Sequence, residues 1–166
     1  VNGATDKVIE FVGPVINAMS MESRMTVANM AIEAGGTSGI CLPDRTTAAY
    51  LWPFIGNDYA DIDDAVADFR KWHSDADAVY EQEWRFDVSA LAPQVTYGYK
   101  PDCVKPVTEM AGSAVDQVYI GTCTNGRIED LRVAAAILKG KKIAERVRGI
   151  VSPATPKIFQ EALAEG

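Results

Sequence analysis

The stretch Gln117–Arg132, Q-V-Y-I-G-T-C-T-N-G-R-I-E-D-L-R, constrains the fold most strongly, because it fixes the order strand, tight loop, helix within a few residues. Gln117–Gly121 is a short β-favouring run. Asn125 and Gly126 break it and open a helix whose first turn holds Glu129 and Asp130, where the helix dipole favours carboxylates. Ile128, Leu131, Ala135 and Leu138 then recur at helical spacing, and Gly140 stops the helix. Cys123 falls at the corner between strand and helix, where α/β folds assemble their sites. As a thiolate a cysteine there binds metal, yet most free cysteines are small buried hydrophobes. On the local pattern alone both readings stand.

The same alternation recurs along the chain. Lys7–Val12 reads as a strand and Gly13-Pro14 as a turn. Ser20 precedes a helix over Met21–Ala34, with Val27, Ala31 and Ala34 on one face and Gly35-Gly36 as its stop. Thr37–Leu42 is a second strand, and Arg45–Trp52 a short helix that Pro53 ends. A helix near Asp63–Trp72 buries Ala65, Phe69 and Trp72, and Tyr80–Val88 alternates as a half-buried strand. Trp52, Trp72 and Trp84 all read as core.

Pro93, Gly98, Pro101 and Pro106 punctuate a connecting loop. Past Cys123 come a strand at Val147–Val151 and a last helix that Thr155 caps and Pro156 opens. The expectation is an α/β protein of two consecutive units. Residues 1–106 form the first, with an acidic helical insertion and the connecting loop. Residues 107–166 begin a second, incomplete unit that carries Cys123. The chain starts at Val1 without methionine and stops at Gly166 as a helix finishes, so both ends read as cuts through a larger protein.

Composition removes several classes. A net charge of −7 without a basic patch argues against nucleic acid. No apolar run reaches the ~20 residues of a membrane span. Three cysteines without a C-x-x-C pair fit a reducing, cytoplasmic setting better than a disulfide framework. His73 is the only histidine, closing an acidic helix, and a catalytic role for it is disfavoured. The aspartates between Asp58 and Asp77 lack calcium-loop spacing, and the glycine fingerprint of a Rossmann nucleotide binder is missing.

Asn29 and Glu33, four residues apart, share one face of the Met21–Ala34 helix among Ala28, Met30, Ala31 and Ile32. A carboxylate in so apolar a helix needs either a buried partner or a function. The bland reading is a solvated helix stripe. Arg24 could clamp a substrate carboxylate, but local pairing with Glu22 or another surface acid is the favoured reading. Cys41 reads as core and Cys103 as a thiol in the connecting loop.

Two long segments carry a family resemblance. Met19–Gly36, M-S-M-E-S-R-M-T-V-A-N-M-A-I-E-A-G-G, and Ile120–Arg132 resemble the corresponding motifs of 3-isopropylmalate dehydratase large subunits, within the aconitase superfamily. Pro93-Gln94-Val95-Thr96 is similar to that family as well. Thr122 stands where the family has serine, and Gly126 follows the T-N; neither removes a ligand.

The resemblance implies the three-layer α/β architecture of aconitase and a [4Fe–4S] hydro-lyase interconverting 2- and 3-isopropylmalate in leucine biosynthesis. It makes Cys123 one of three cysteine ligands, the other two lying in a C-x-x-C beyond this chain. It places Asn29 near the cluster and Glu33 toward the substrate hydroxyl or a catalytic histidine. It assigns the catalytic base and much of the carboxylate recognition to a separate small subunit, with a small dicarboxylate as substrate. With one ligand, this chain alone is expected to hold no stable cluster and to be inactive. The large subunits of homoaconitase and dimethylmalate dehydratase share the motifs, and a non-catalytic α/β binding module without a cluster is the alternative of another class.

Overall fold

The computed structural model describes residues 3–166; Val1 and Asn2 lie outside the described residues. In chain order the elements are β1 (Val8–Phe11), α1 (Pro14–Ala18), α2 (Met21–Asn29), a 3₁₀ turn (Met30–Ala34), β2 (Ser38–Cys41), α3 (Arg45–Ile55), α4 (Ile62–Phe69), a 3₁₀ turn (Arg70–Trp72), β3 (Gln94–Thr96) and β4 (Val104–Pro106). A 3₁₀ turn (Val107–Met110), β5 (Gln117–Ile120), α5 (Ile128–Leu138), β6 (Arg148–Val151) and α6 (Pro156–Glu165) complete them. Helices joined to parallel strand pairs make this a mixed α/β protein.

The chain gathers into two compact units: one is Leu42–Ser113, the other joins the described segment up to Cys41 with Ala114–Gly166. In the second unit β1 pairs in parallel with β2, and β5 with β6. Each pair is a strand–helix–strand crossover, through α2 and α5 respectively, as alternating strand and helix patterns require. Ser20 caps α2, its Oγ accepting from the Ser23 N–H at 3.2 Å, and Thr155 caps α6 in the same way toward Ile158. Gly35, at φ 83°, takes the left-handed position that ends the 3₁₀ turn.

In the other unit Asp44 caps α3 and Asp61 caps α4, each side chain accepting two N–H groups. Here three expectations are corrected. Pro53 does not end α3, which runs on to Ile55; so near the C-terminus the missing N–H and the ring's clash act on one turn only. Tyr80–Val88 forms no strand and belongs to no sheet, and Tyr80, Trp84, Phe86 and Val88 are exposed. Alternation reports an extended chain, whereas a strand also needs a partner backbone. The supposed plain loop contains an antiparallel hairpin, β3 with β4, closed around Gly98 at φ 75°.

Among the described residues the buried apolar ones are Ala4, Ala31, Ala48, Ala65 and Leu131. Nearly all are alanines, and Ala48 and Ala65 lie on the mutually packed helices α3 and α4. Trp72, expected in the core, is 69% exposed, with the Lys71 ammonium 5.5 Å from its ring centre. Trp84 is exposed too, and Trp52 is half-buried. Likewise Leu138 and Ala135 of the α5 stripe stay open while Leu131 is buried. No helix among the described residues is long and apolar enough to cross a membrane.

Candidate functional site

The site grows from one close approach. At Gly39 of β2 an added Cβ would lie 2.7 Å from the Ala28 carbonyl oxygen and 2.9 Å from Ala31 Cβ. Only glycine lets α2 and its 3₁₀ continuation lie this tightly on the strand. Asn29 ends α2, and Glu33 sits in the tighter turn that follows. The expected single helix is thus two segments, yet both residues line the same cleft.

Cys123 comes from the β5–α5 loop, whose shape is set by its own backbone. Gly121 takes φ 95° directly beneath the Ser152 carbonyl, where a Cβ would come within 2.0 Å of the oxygen. The Thr122 N–H donates to the Asn125 carbonyl at 2.7 Å, and Thr122 Oγ1 accepts from the N–H groups of Thr124 and Asn125. The Asp130 carboxylate accepts from the N–H groups of Gly126 and Arg127 at 2.8 and 3.0 Å. Asp130 therefore engages the two amides that immediately precede α5. Cys123 projects from the preceding loop, with its residue exposed.

Within this unit Asn29, Glu33 and Cys123 line one cleft of about 430 Å³, together with Gly36, Gly39 and Thr124 among others. Glu33 Oε2 is buried there with no hydrogen-bond partner. A buried carboxylate oxygen without a donor is costly, so the site is poised to receive one. Thr124, which sequence reading did not single out, ties the two sides together. Its carbonyl accepts from Thr26 Oγ1 at 3.2 Å and from Arg127 Nη1 at 3.1 Å, and its hydroxyl donates to Asn29 Oδ1 at 2.9 Å. No periodicity announces such a pair, because its members lie 95 residues apart.

Other candidates fall elsewhere. Arg24 is only 2% exposed, donates from Nη2 to the Asn17 carbonyl at 2.9 Å, and is not among the residues lining the cleft. Cys41 is half-buried; burial pushes its thiol above the ordinary value, partly offset by the Arg24 charge, and its Sγ donates to the Arg24 carbonyl at 3.8 Å. Cys103 lies between β3 and β4 in the other unit. His73 Nε2 lies 2.7 Å from the Pro43 carbonyl, an acceptor, so that nitrogen carries the proton and the ring serves as a tether.

An exposed thiol on a loop is well suited to ligate iron, and the cleft beside it offers one amide and one unsatisfied carboxylate oxygen. The chain supplies that donor singly: among the described residues no three His, Cys, Asp or Glu side chains are grouped to hold an ion. Cys123 is thus a single thiol donor at the cleft.

The chain is 69% identical over all of its 166 residues to the 3-isopropylmalate dehydratase large subunit of Geobacter metallireducens, and 68% identical to that of Geotalea uraniireducens. It is 51% identical to the protein of that name from Oleidesulfovibrio alaskensis. It spans 39% of the length of the first two and 37% of the third. The profile of the aconitase family (aconitate hydratase) matches residues 1–114 and 105–166, so the chain belongs to the aconitase family.

Proposed function

We propose that this chain is the part of a hydro-lyase large subunit that supplies one cluster ligand, and that the whole protein interconverts 2- and 3-isopropylmalate in leucine biosynthesis. The observation that carries the reading is the meeting of Cys123, Asn29 and Glu33 on one cleft, although Cys123 is remote from the other two in sequence. In this reading Cys123 Sγ is one thiolate of a [4Fe–4S] cluster, whose other cysteine ligands lie outside this chain. When bound, the cluster supplies Lewis acidity toward the substrate hydroxyl and carboxylate.

The rest is the work of side chains present here. Dehydration breaks a C–H bond and the neighbouring C–OH bond and forms C=C and water; rehydration with the opposite orientation moves the hydroxyl. Glu33 Oε2, buried and without a donor, accepts a hydrogen bond from that hydroxyl and holds its orientation. Asn29, its Oδ1 occupied by Thr124, offers N–H to an anionic group in the cleft. A small subunit completes the pocket and provides the base, and a small branched dicarboxylate is the substrate. Three unpaired cysteines agree with a cytoplasmic home.

The decisive experiment uses the full-length protein, purified and reconstituted without oxygen alongside its small subunit. Iron and sulfide should give a brown protein that forms an unsaturated diacid from isopropylmalate, read by ultraviolet absorbance. Cys123→Ser should lose both the colour and the turnover. A colourless wild-type protein, or a Cys123→Ser variant with full cluster and activity, overturns the assignment.

A further inference from the structure

We propose that Thr124 is a positioning residue: its hydroxyl commits the Asn29 amide to presenting its N–H donors, not its oxygen, to the cleft beside Cys123. An asparagine side chain carries an acceptor at one end and two donors at the other, and nothing intrinsic decides which end faces a ligand. Here the Thr124 hydroxyl donates to Asn29 Oδ1 at 2.9 Å, which leaves the NH₂ group as what the amide can offer. A donor of that kind selects an anionic or electron-rich ligand atom and repels a second donor.

The Thr124 hydroxyl is itself held in place. Thr26, one turn before Asn29, has its single hydroxyl proton shared between the Glu22 carbonyl at 3.1 Å and the Thr124 carbonyl at 3.2 Å. Arg127 Nη1 donates to the Thr124 carbonyl at 3.1 Å, and the Thr124 N–H donates to Thr122 Oγ1 at 3.2 Å. Carbonyl, amide and hydroxyl of Thr124 are thus all engaged, and Cys123 is its chain neighbour. One residue therefore sets both the thiol loop and the direction of the amide across from it. Serine keeps the hydroxyl; valine keeps the shape and loses the donor.

The test has two arms in the full-length protein, of which only the kinetic one rests on the hydro-lyase reading. In the first, the side-chain amide resonances of Asn29, assigned by their loss in Asn29→Ala, are compared without substrate. Thr124→Val and Thr124→Ala should move them toward the values of a free side chain, and Thr124→Ser should leave them in place. In the second, Thr124→Val at undiminished iron content should lower kcat about tenfold, the worth of one hydrogen bond, with KM little changed. Thr124→Ser should recover that loss, and adding Thr124→Val to Asn29→Ala should cost nothing more. Asn29 resonances unmoved by Thr124→Val, or fully additive kinetic losses, overturn the proposal. A wild-type protein without iron or turnover instead sinks the hydro-lyase reading, and the amide resonances still decide the role of Thr124.

Discussion

Glu129, in the first turn of α5, accepts a 2.8 Å hydrogen bond from the hydroxyl of Ser20, the residue that caps α2, across 109 positions of sequence. Ser23 Oγ adds a longer bond of 3.4 Å to the same carboxylate oxygen. The clasp joins the start of the helix that ends in Asn29 to the start of the helix behind Cys123. It thereby helps to fix the spacing of the two sides of the cleft.

Breaking the clasp should cost stability in a coupled way. Ser20→Ala loses both the cap and the bond to Glu129, and should destabilise by about 1–2 kcal/mol. Glu129→Ala should cost about 1 kcal/mol, and the double variant less than the sum of the two. Denaturant midpoints of the four proteins measure the coupling. Strict additivity would mean the two side chains stabilise independently.

Two glycines should tolerate no side chain, for different reasons. Gly121→Ala combines a left-handed φ of 95° with a Cβ 2.0 Å from the Ser152 carbonyl oxygen. A loss of roughly 3 kcal/mol or more is expected, since strain and a backbone clash act together. Gly39 has no such φ, so alanine there acts by pushing α2 off β2, with an expected cost of about 1–3 kcal/mol. Gly39→Ala should also weaken turnover by displacing Asn29 and Glu33. Unfolding midpoints together with kcat separate the two substitutions.

The legible parts of this chain were those written in local chemistry. The caps at Ser20 and Thr155, the glycine stop at Gly35 and the strand–loop–helix around Cys123 depend on neighbours a few residues away, and each was readable as such. Tyr80–Val88 misled because its alternation describes chain extension, while sheet membership depends on a distant partner. Trp72 misled because an apolar residue on a helix stripe is buried only if something covers that stripe. The cleft was half legible: Cys123, Asn29 and Glu33 stood out by their motifs, whereas Thr124 and Thr26 act through a bond that no sequence spacing encodes.

A pH dependence follows from the Tyr59–Asp68–Lys71 group on α4 and its flanks. Tyr59 OH donates to Asp68 Oδ2 at 2.9 Å and Lys71 Nζ to both carboxylate oxygens, at 2.8 and 2.7 Å. The Lys71 ammonium, and then the Tyr59 hydroxyl, hold the Asp68 carboxyl below its ordinary 3.8, while Asp68 raises Lys71 above its ordinary 10.5. Asp68's contribution is therefore complete above 3.8 and fades as pH falls through its lower folded value. The Lys71 contribution is complete below 10.5 and fades as pH rises through its higher folded value. The group is exposed and its effect correspondingly small. In Asp68→Asn both limbs of the stability profile should flatten relative to wild type; unchanged limbs would remove this group as their source.

Glu33 allows stability and activity to be pulled apart. Its buried Oε2 has no hydrogen-bond partner, so the folded protein bears a cost there that serves no packing role. Glu33→Gln preserves the shape and removes the carboxylate charge. If Glu33 acts on the substrate hydroxyl, kcat of the full-length, iron-loaded protein should fall roughly 100- to 10,000-fold. Its denaturant midpoint without the cluster should meanwhile hold or rise, as found when a buried group kept for function is neutralised. A residue kept for the fold would show the reverse, with stability falling and turnover following only in proportion. Measuring kcat and the unfolding midpoint on the same preparation distinguishes the two, because a functional carboxylate drives them in opposite directions.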